Sequence, residues 1–284
     1  MDASILSHVL DLLCSLLKNS KTDEDKAKVI EVFPELLSYV EKSEDMFLLL
    51  NGTQTLKTFI YLGHKQVLKL STPEQIIGVC KKLLSPQTNE QSALCLGNLV
   101  IQVIHKIQPR IDTSLLMCVV QKIYKSRMPS IVQSLVLIFA RLIQTNPAEI
   151  IQLLVETSIE NRISLKIVLD KWFLQQALFR GSYTRTVTIS SLCKLFLLRE
   201  QTIEQLMVIT YNPSHSNINS EVNAPFKMLS LMLRFLDNET KPTNKRPLRQ
   251  PIEDYDEGED GPGFGHNPHS AFGKFSMPRN DEEL

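Results

Sequence analysis

From residue 1 to about 237 the chain is one apolar-striped segment after another, separated by joints of only a few residues. No other feature restricts the fold as much. From Pro129 onward, Val132, Leu135, Val136, Phe139, Leu142 and Ile143 step by three or four positions. That spacing stacks side chains on one face of an α-helix. The stripe is wide, which predicts a helix packed on two sides. Strand signals are weak, and β-branched runs such as 99–104 sit inside longer helical patterns.

The joints carry start and stop chemistry. Asn19 to Thr22 ends one helix, and Ser43 is placed to cap another. Thr72-Pro73-Glu74-Gln75 predicts a capping box: a hydroxyl accepts from first-turn amides, the glutamine reaches back, and the proline sits where its missing N–H does no harm. Thr88-Asn89-Glu90-Gln91 repeats that logic, and Met128-Pro129 and Asn146-Pro147 each open a further helix. Short joints imply antiparallel neighbours. The pattern predicts roughly eleven or twelve helices, most of about 15 residues. Paired, they form five or six units of about 40 residues, the HEAT-like period. The expected fold is all-α, an α-solenoid whose helical hairpins stack into a right-handed superhelix. Residue identity between units is low, so the period rests on helix spacing.

Composition narrows the function classes. Lysine plus arginine number 31 and aspartate plus glutamate 31, which argues against a generally basic nucleic-acid binder. Cys14, Cys80, Cys95, Cys118 and Cys193 are odd in number and form no C-x-x-C pair. They read as buried thiols in a reducing compartment rather than disulfides or zinc ligands. No stretch of about 18 apolar residues occurs, so no membrane span is expected. The leucine-rich start lacks a basic region and a small-residue cleavage site, so it is not read as a signal peptide.

Catalytic motifs are absent: the sequence has no P-loop, no glycine-rich dinucleotide fingerprint, no H-E-x-x-H and no G-x-S-x-G. His8, His64 and His105 lie far apart on separate predicted helices, and His215, His266 and His269 fall in loop or tail. His266 and His269 are the nearest approach to metal-ligand spacing, without cysteine partners. The expectation is a non-enzymatic protein with no cofactor and no metal. A rival enzyme or regulatory subunit would be marked by a deep pocket with convergent ionisable groups.

The composition changes near residue 237. Six of the 14 prolines and five of the ten glycines lie in the last 48 residues, and large aliphatics almost vanish. Such a segment buries too little apolar surface to offset its ordering entropy. The expected division is therefore a solenoid over 1–237 and a disordered Pro/Gly-rich tail over 238–284. Within the tail Lys241, Lys245, Arg246 and Arg249 precede an acidic run of Glu253, Asp254, Asp256, Glu257, Glu259 and Asp260. A mobile polyanion of this kind engages a basic partner through charge-assisted bonds and steers its approach. A solubilising acidic tail has the same composition. Lys245-Arg246-Pro247 reads as a solvated linker or half of a nuclear localisation signal, and Gly263-Phe264-Gly265 and Phe272-Gly273 resemble isolated nucleoporin dipeptides.

One motif is more specific. Trp172 is followed by Phe179, Gly181 and Tyr183, then by Leu192-Cys193-Lys194-Leu195. By periodicity Trp172 is a packing residue between helices rather than a binding anchor. With Gln133-Ser134-Leu135 and Phe139-Ala140 upstream, this spacing resembles the importin-β (karyopherin) superfamily. Similarity extends more weakly through Leu83-Leu84-Ser85-Pro86-Gln87-Thr88.

The resemblance implies a HEAT-repeat receptor that shuttles between cytoplasm and nucleus. Its implied cargo is basic, notably core histones and ribosomal proteins, and its pathway depends on the small GTPase Ran. Ran would bind through N-terminal repeats that this chain lacks, and nucleoporins are a further partner class. No direct nucleic-acid or membrane partner is implied. The resemblance also places an acidic loop where Glu253 to Asp260 fall. It implies that both ends are cut, so the first helix is expected to expose an apolar face that a preceding repeat would cover. A general HEAT scaffold without a transport role is the alternative reading.

Overall fold

The computed structural model describes residues 3–107, 112–211 and 219–240. The chain divides into two units, Met1–Pro242 and Thr243–Leu284, and the second lies outside the described residues.

The helices of the first unit are α1 (Ala3–Asn19), α2 (Asp23–Ile30), α3 (Phe33–Lys42), α4 (Met46–Leu70), α5 (Pro73–Leu84), α6 (Leu96–Gln102), α7 (Thr113–Lys125), α8 (Pro129–Thr145), α9 (Pro147–Glu156), α10 (Ser164–Gln175), α11 (Ser182–Leu198), α12 (Gln201–Glu204) and α13 (Ala224–Thr240). They begin where the joint chemistry places them. Thr22 and Asp45 accept first-turn amides of α2 and α4. Thr72 and Gln75 form the expected reciprocal box at α5. Proline occupies the opening turns of α3, α5, α8 and α9.

Two local expectations are corrected. Ser43 does not cap α4; it ends α3, and its hydroxyl accepts from Asp45 N at 3.0 Å while Asp45 does the capping. Thr88 opens no capping box, because its hydroxyl donates to the Lys82 carbonyl at 2.9 Å and Asn89 accepts from Gln91 N instead.

The helices stack in two rows, giving an all-α solenoid. In the first row α1, α4, α6, α8, α11 and α13 each pack on the next. In the second, α3, α5, α7 and α10 do the same, and the rows are joined by α3 on α4, α5 on α6, α7 on α8 and α10 on α8. The wide stripe of α8 fits its central place: Val132, Leu135, Val136, Phe139, Leu142 and Ile143 are all buried. Rows approach closely where side chains vanish. A Cβ on Gly97 of α6 would lie 2.0 Å from the Ser134 carbonyl oxygen of α8, and Gly97 N donates to Ser134 Oγ at 3.1 Å.

Two hairpins interrupt the helices. Strands β1 (Ser158–Ile159) and β2 (Arg162–Ile163) pair around Glu160 and Asn161, both with positive φ. Strands β3 (Met207–Tyr211) and β4 (Asn219–Asn223) pair antiparallel, Met207 opposite Asn223. This second hairpin packs on α10, where the next helix of the second row would stand. Asp170 of α10 anchors it by accepting from Ile209 N at 2.7 Å, and Val208 is fully buried. The β-branched triplet Val208-Ile209-Thr210 explains the local preference for strand.

Lysines join successive units of the second row. Lys82 of α5 donates to the carbonyls of Val40, Glu41 and Ser43 at the end of α3. Lys122 of α7 donates to the Ser85 and Thr88 carbonyls beyond α5, at 2.8 and 2.6 Å. Lys171 of α10 donates to the Ser126 carbonyl at the end of α7, at 2.6 Å.

Candidate interaction surfaces

The acidic run expected to carry function, Glu253, Asp254, Asp256, Glu257, Glu259 and Asp260, lies outside the described residues, as do His215, His266 and His269. The tryptophan motif is described, and it is core. Trp172 is fully buried, and its indole N–H donates to Gln176 Oε1 at 2.7 Å. Gln176 Nε2 donates to Thr188 Oγ1 of α11 at 3.0 Å, and that hydroxyl donates on to the Thr184 carbonyl. Gly181, at φ 82°, turns the chain into α11 in a conformation that suits glycine. Leu192 and Leu195 are buried, Lys194 donates to the Gln144 carbonyl of α8, and Cys193 Sγ meets Met232 Sδ of α13 at 3.4 Å. The motif therefore fixes α10, α11, α8 and α13 against one another and leaves Trp172 no surface to offer.

Among the described residues no group of histidine, cysteine and carboxylate side chains is arranged to hold a metal ion, and no helix is long and apolar enough to cross a membrane. Cys80 is buried, and burial pushes its thiol up to about 12.

Three surfaces stand out. The first is an apolar stripe on α1, formed by Ile5, Val9, Leu12 and Leu16, all exposed. This is the open first-helix face expected from the sequence. The second is its counterpart on α13: Phe226, Leu229, Leu233 and Leu236, with Phe226 at 67% exposure. Both helices end the first row.

The third surface is charged. Segments 46–70, 96–107, 129–145 and 182–198, the inner members of the first row, contain no aspartate or glutamate. They carry Lys57, Lys65, Lys69, Lys106, Arg141, Arg185 and Lys194. Of the second-row helices, α3, α5 and α10 carry both signs, whereas α7 is also free of acids. The inner first row is thus cationic, although the chain is neutral overall.

The cations concentrate where the first row is irregular. Helix α4 kinks at Gly63, with φ −142° and ψ 27°. After α6 the chain forms a π-helical turn, Val103–Ile107, which packs on α4. His64 and Lys65 follow the kink, and His105 and Lys106 lie in the π-turn. Burial, and then the Lys106 and Lys65 charges, hold the His64 imidazole below the usual histidine range. Burial, and then the Arg141 and Lys106 charges, do the same for His105. Histidines that are 41 positions apart in sequence thus sit around one ammonium group. Arg141 of α8 completes the cluster, stacked over the Tyr183 ring at 5.3 Å and bonded to its hydroxyl. Sequence reasoning missed this cluster. The acid-free composition of alternating helices was its only signal.

The fold and these surfaces define a helical-repeat protein built to present extended faces to other macromolecules. A family model described as "Importin-11-like, TPR repeats" matches residues 2–222, and the chain belongs to that family, within the importin-β group. It is similar to Importin-9 of Drosophila melanogaster, at 28% identity over 196 residues. That match covers 66% of this chain and 19% of the fly protein. In the second row α5, α7 and α10 begin at Pro73, Thr113 and Ser164. The first interval is 40 residues, and α9 with the β1–β2 hairpin lengthens the second.

Proposed function

We propose that this chain serves in a nuclear transport receptor, binding protein cargo along its helical rows and moving between cytoplasm and nucleus. The observation that carries this reading is the importin family match over residues 2–222, laid on a two-row repeat array. The chain is read as a carrier rather than a catalyst. Its cargo is basic protein such as core histones and ribosomal proteins, with Glu253, Asp254, Asp256, Glu257, Glu259 and Asp260 supplying a complementary polyanion. Six carboxylates within eight residues raise the local concentration of a cationic partner and accept charge-assisted bonds from lysine and arginine. Release in the cell follows the Ran pathway, with Ran held by repeats outside this chain and nucleoporins as further contacts.

The test is titration of the chain with a core histone dimer across a salt series. Binding that weakens steeply as salt rises supports the cargo reading. No binding at low salt removes it, leaving a repeat scaffold without this cargo. Replacing the six carboxylates together by their amides isolates the acidic run, and an unchanged affinity returns it to a solubilising role. A stable complex of this chain alone with GTP-loaded Ran would contradict the assignment of Ran to other repeats.

A further inference from the structure

The cationic cluster of the first row has the opposite sign from the acidic run and calls for a different partner. Lys65, Lys106 and Arg141 come from three successive members of the row, α4, the π-turn after α6, and α8. Among the described residues no carboxylate pairs with any of the three. The two lysines are exposed. Arg141 is half-buried, with its guanidinium over the Tyr183 ring and one nitrogen bonded to that hydroxyl, which positions the group for a charge-assisted bond to a carboxylate. His64 lies near Lys106 and Lys65, and His105 near Arg141 and Lys106.

We propose that this cluster is a docking site for an acidic, extended peptide segment of a partner protein, running across the first row from α4 to α8. Neighbouring helix axes lie about 8–10 Å apart, so three successive members span about 20 Å. An extended chain advances about 3.3 Å per residue, so about six residues cover the cluster. Nucleic acid fits less well. Tyr183, beside the cluster, is half-buried with Arg141 over its ring, which makes it a poor platform for base stacking. The kink at Gly63 and the π-turn place His64, Lys65, His105 and Lys106 on one another's flank, a position that regular helices would not provide.

The experiment uses the full chain and a fluorescein-labelled hexaglutamate peptide, read by anisotropy at about 50 mM salt, where surface charge is weakly screened. Hexaglutamine and a labelled oligothymidylate of matching length are the comparison probes. The expected result is binding of hexaglutamate, none of hexaglutamine, and weaker binding of the oligonucleotide. Lys65→Glu with Lys106→Glu should weaken hexaglutamate about tenfold, as two surface attractions become repulsions. Lys21→Glu with Lys28→Glu makes the same change in net charge elsewhere and should alter affinity by less than about twofold. Far-UV circular dichroism confirms that both variants stay folded. No binding of hexaglutamate overturns the proposal, as does an equal loss in the two variants. Oligonucleotide binding at least as tight as hexaglutamate, and lost with Lys65 and Lys106, would reassign the site to nucleic acid.

Discussion

The buried bond between Trp172 and Gln176 is open to a double-mutant test. Both residues are sealed from water, and Gln176 is the acceptor for the indole N–H as well as the donor to Thr188. Gln176→Leu keeps a similar volume but removes both contacts. An orphaned buried donor costs about 1–3 kcal/mol and the lost second bond about 1 kcal/mol, so the expected destabilisation is about 2–4 kcal/mol. Trp172→Phe removes the donor and part of the ring. Its packing loss is about 1–3 kcal/mol, and the orphaned Gln176 oxygen adds about 1–3 kcal/mol. The double variant holds neither orphan. It should therefore be less destabilised than the sum of the singles by the two orphan penalties together, about 2–6 kcal/mol. Urea unfolding followed by far-UV circular dichroism suits all four proteins, because Trp172 is the only tryptophan and its fluorescence is lost with it. Single effects that add to within about 0.5 kcal/mol would show that the Trp172–Gln176 bond contributes nothing to stability.

Other sites give sharper or simpler outcomes. Gly97→Ala sets a methyl against the Ser134 backbone and should cost about 1–3 kcal/mol net, although alanine favours a helix by about 1 kcal/mol; an unchanged urea midpoint would refute the close approach of α6 and α8. Asp112 caps α7, and burial, which alone would raise its carboxyl, is outweighed by bonds from Ser114 Oγ and the Leu115 and Ser114 amides and by Lys81, so the group sits below the usual range. Its stabilisation is therefore present above pH ~4 and fades as pH falls through the depressed value; Asp112→Ala should cost about 1 kcal/mol at pH 7, and Asp112→Asn should keep the cap while flattening that acid limb. Lys122→Met retains the stem but removes the ammonium donor to the Ser85 and Thr88 carbonyls, the former keeping its bond from Thr88 N, for an expected loss of about 1–3 kcal/mol by urea unfolding. Leu12→Lys with Leu233→Lys, both on exposed stripes, should change stability by less than about 0.5 kcal/mol in urea unfolding; a large loss of stability would mean these side chains are packed.

Much of this fold was legible because local and tertiary signals agree. The α8 stripe, the Thr72–Gln75 box and the Pro129 and Pro147 starts all name helices that packing then keeps. Disagreement arose where a side chain had more than one acceptor or donor in reach. Thr88 satisfies the Lys82 carbonyl rather than a first-turn amide, and Asp45 outcompetes Ser43 for the α4 cap. The β3–β4 hairpin was missed because its strand formers are few, Val208 to Tyr211 on β3 and Val222 alone on β4, and what makes the pairing worthwhile is remote: the Asp170 carboxylate and the apolar side of α10. The cationic cluster was hidden for a related reason. Periodicity places His64 and His105 on helices but not on neighbouring ones; only the row order brings both to Lys106.

The second-row lysines explain why the repeat is visible as spacing and not as matched residues. A helix end leaves its last carbonyls without intrahelical partners and carries partial negative charge. Lys82, Lys122 and Lys171 each meet that need at the end of the preceding unit. Burial pushes the Lys122 and Lys171 ammonium groups below the usual lysine range, which marks them as enclosed joints rather than surface charges. Backbone carbonyls impose no sequence on the segment that supplies them. The only shared requirement is one long amine per unit at the right height, and the surrounding residues, Leu-Leu after 82, Ile-Tyr after 122 and Trp-Phe after 171, are free to differ. An insertion such as α9 with β1–β2 then lengthens one interval without breaking the joint, because the lysine finds its carbonyl wherever the next helix is set down.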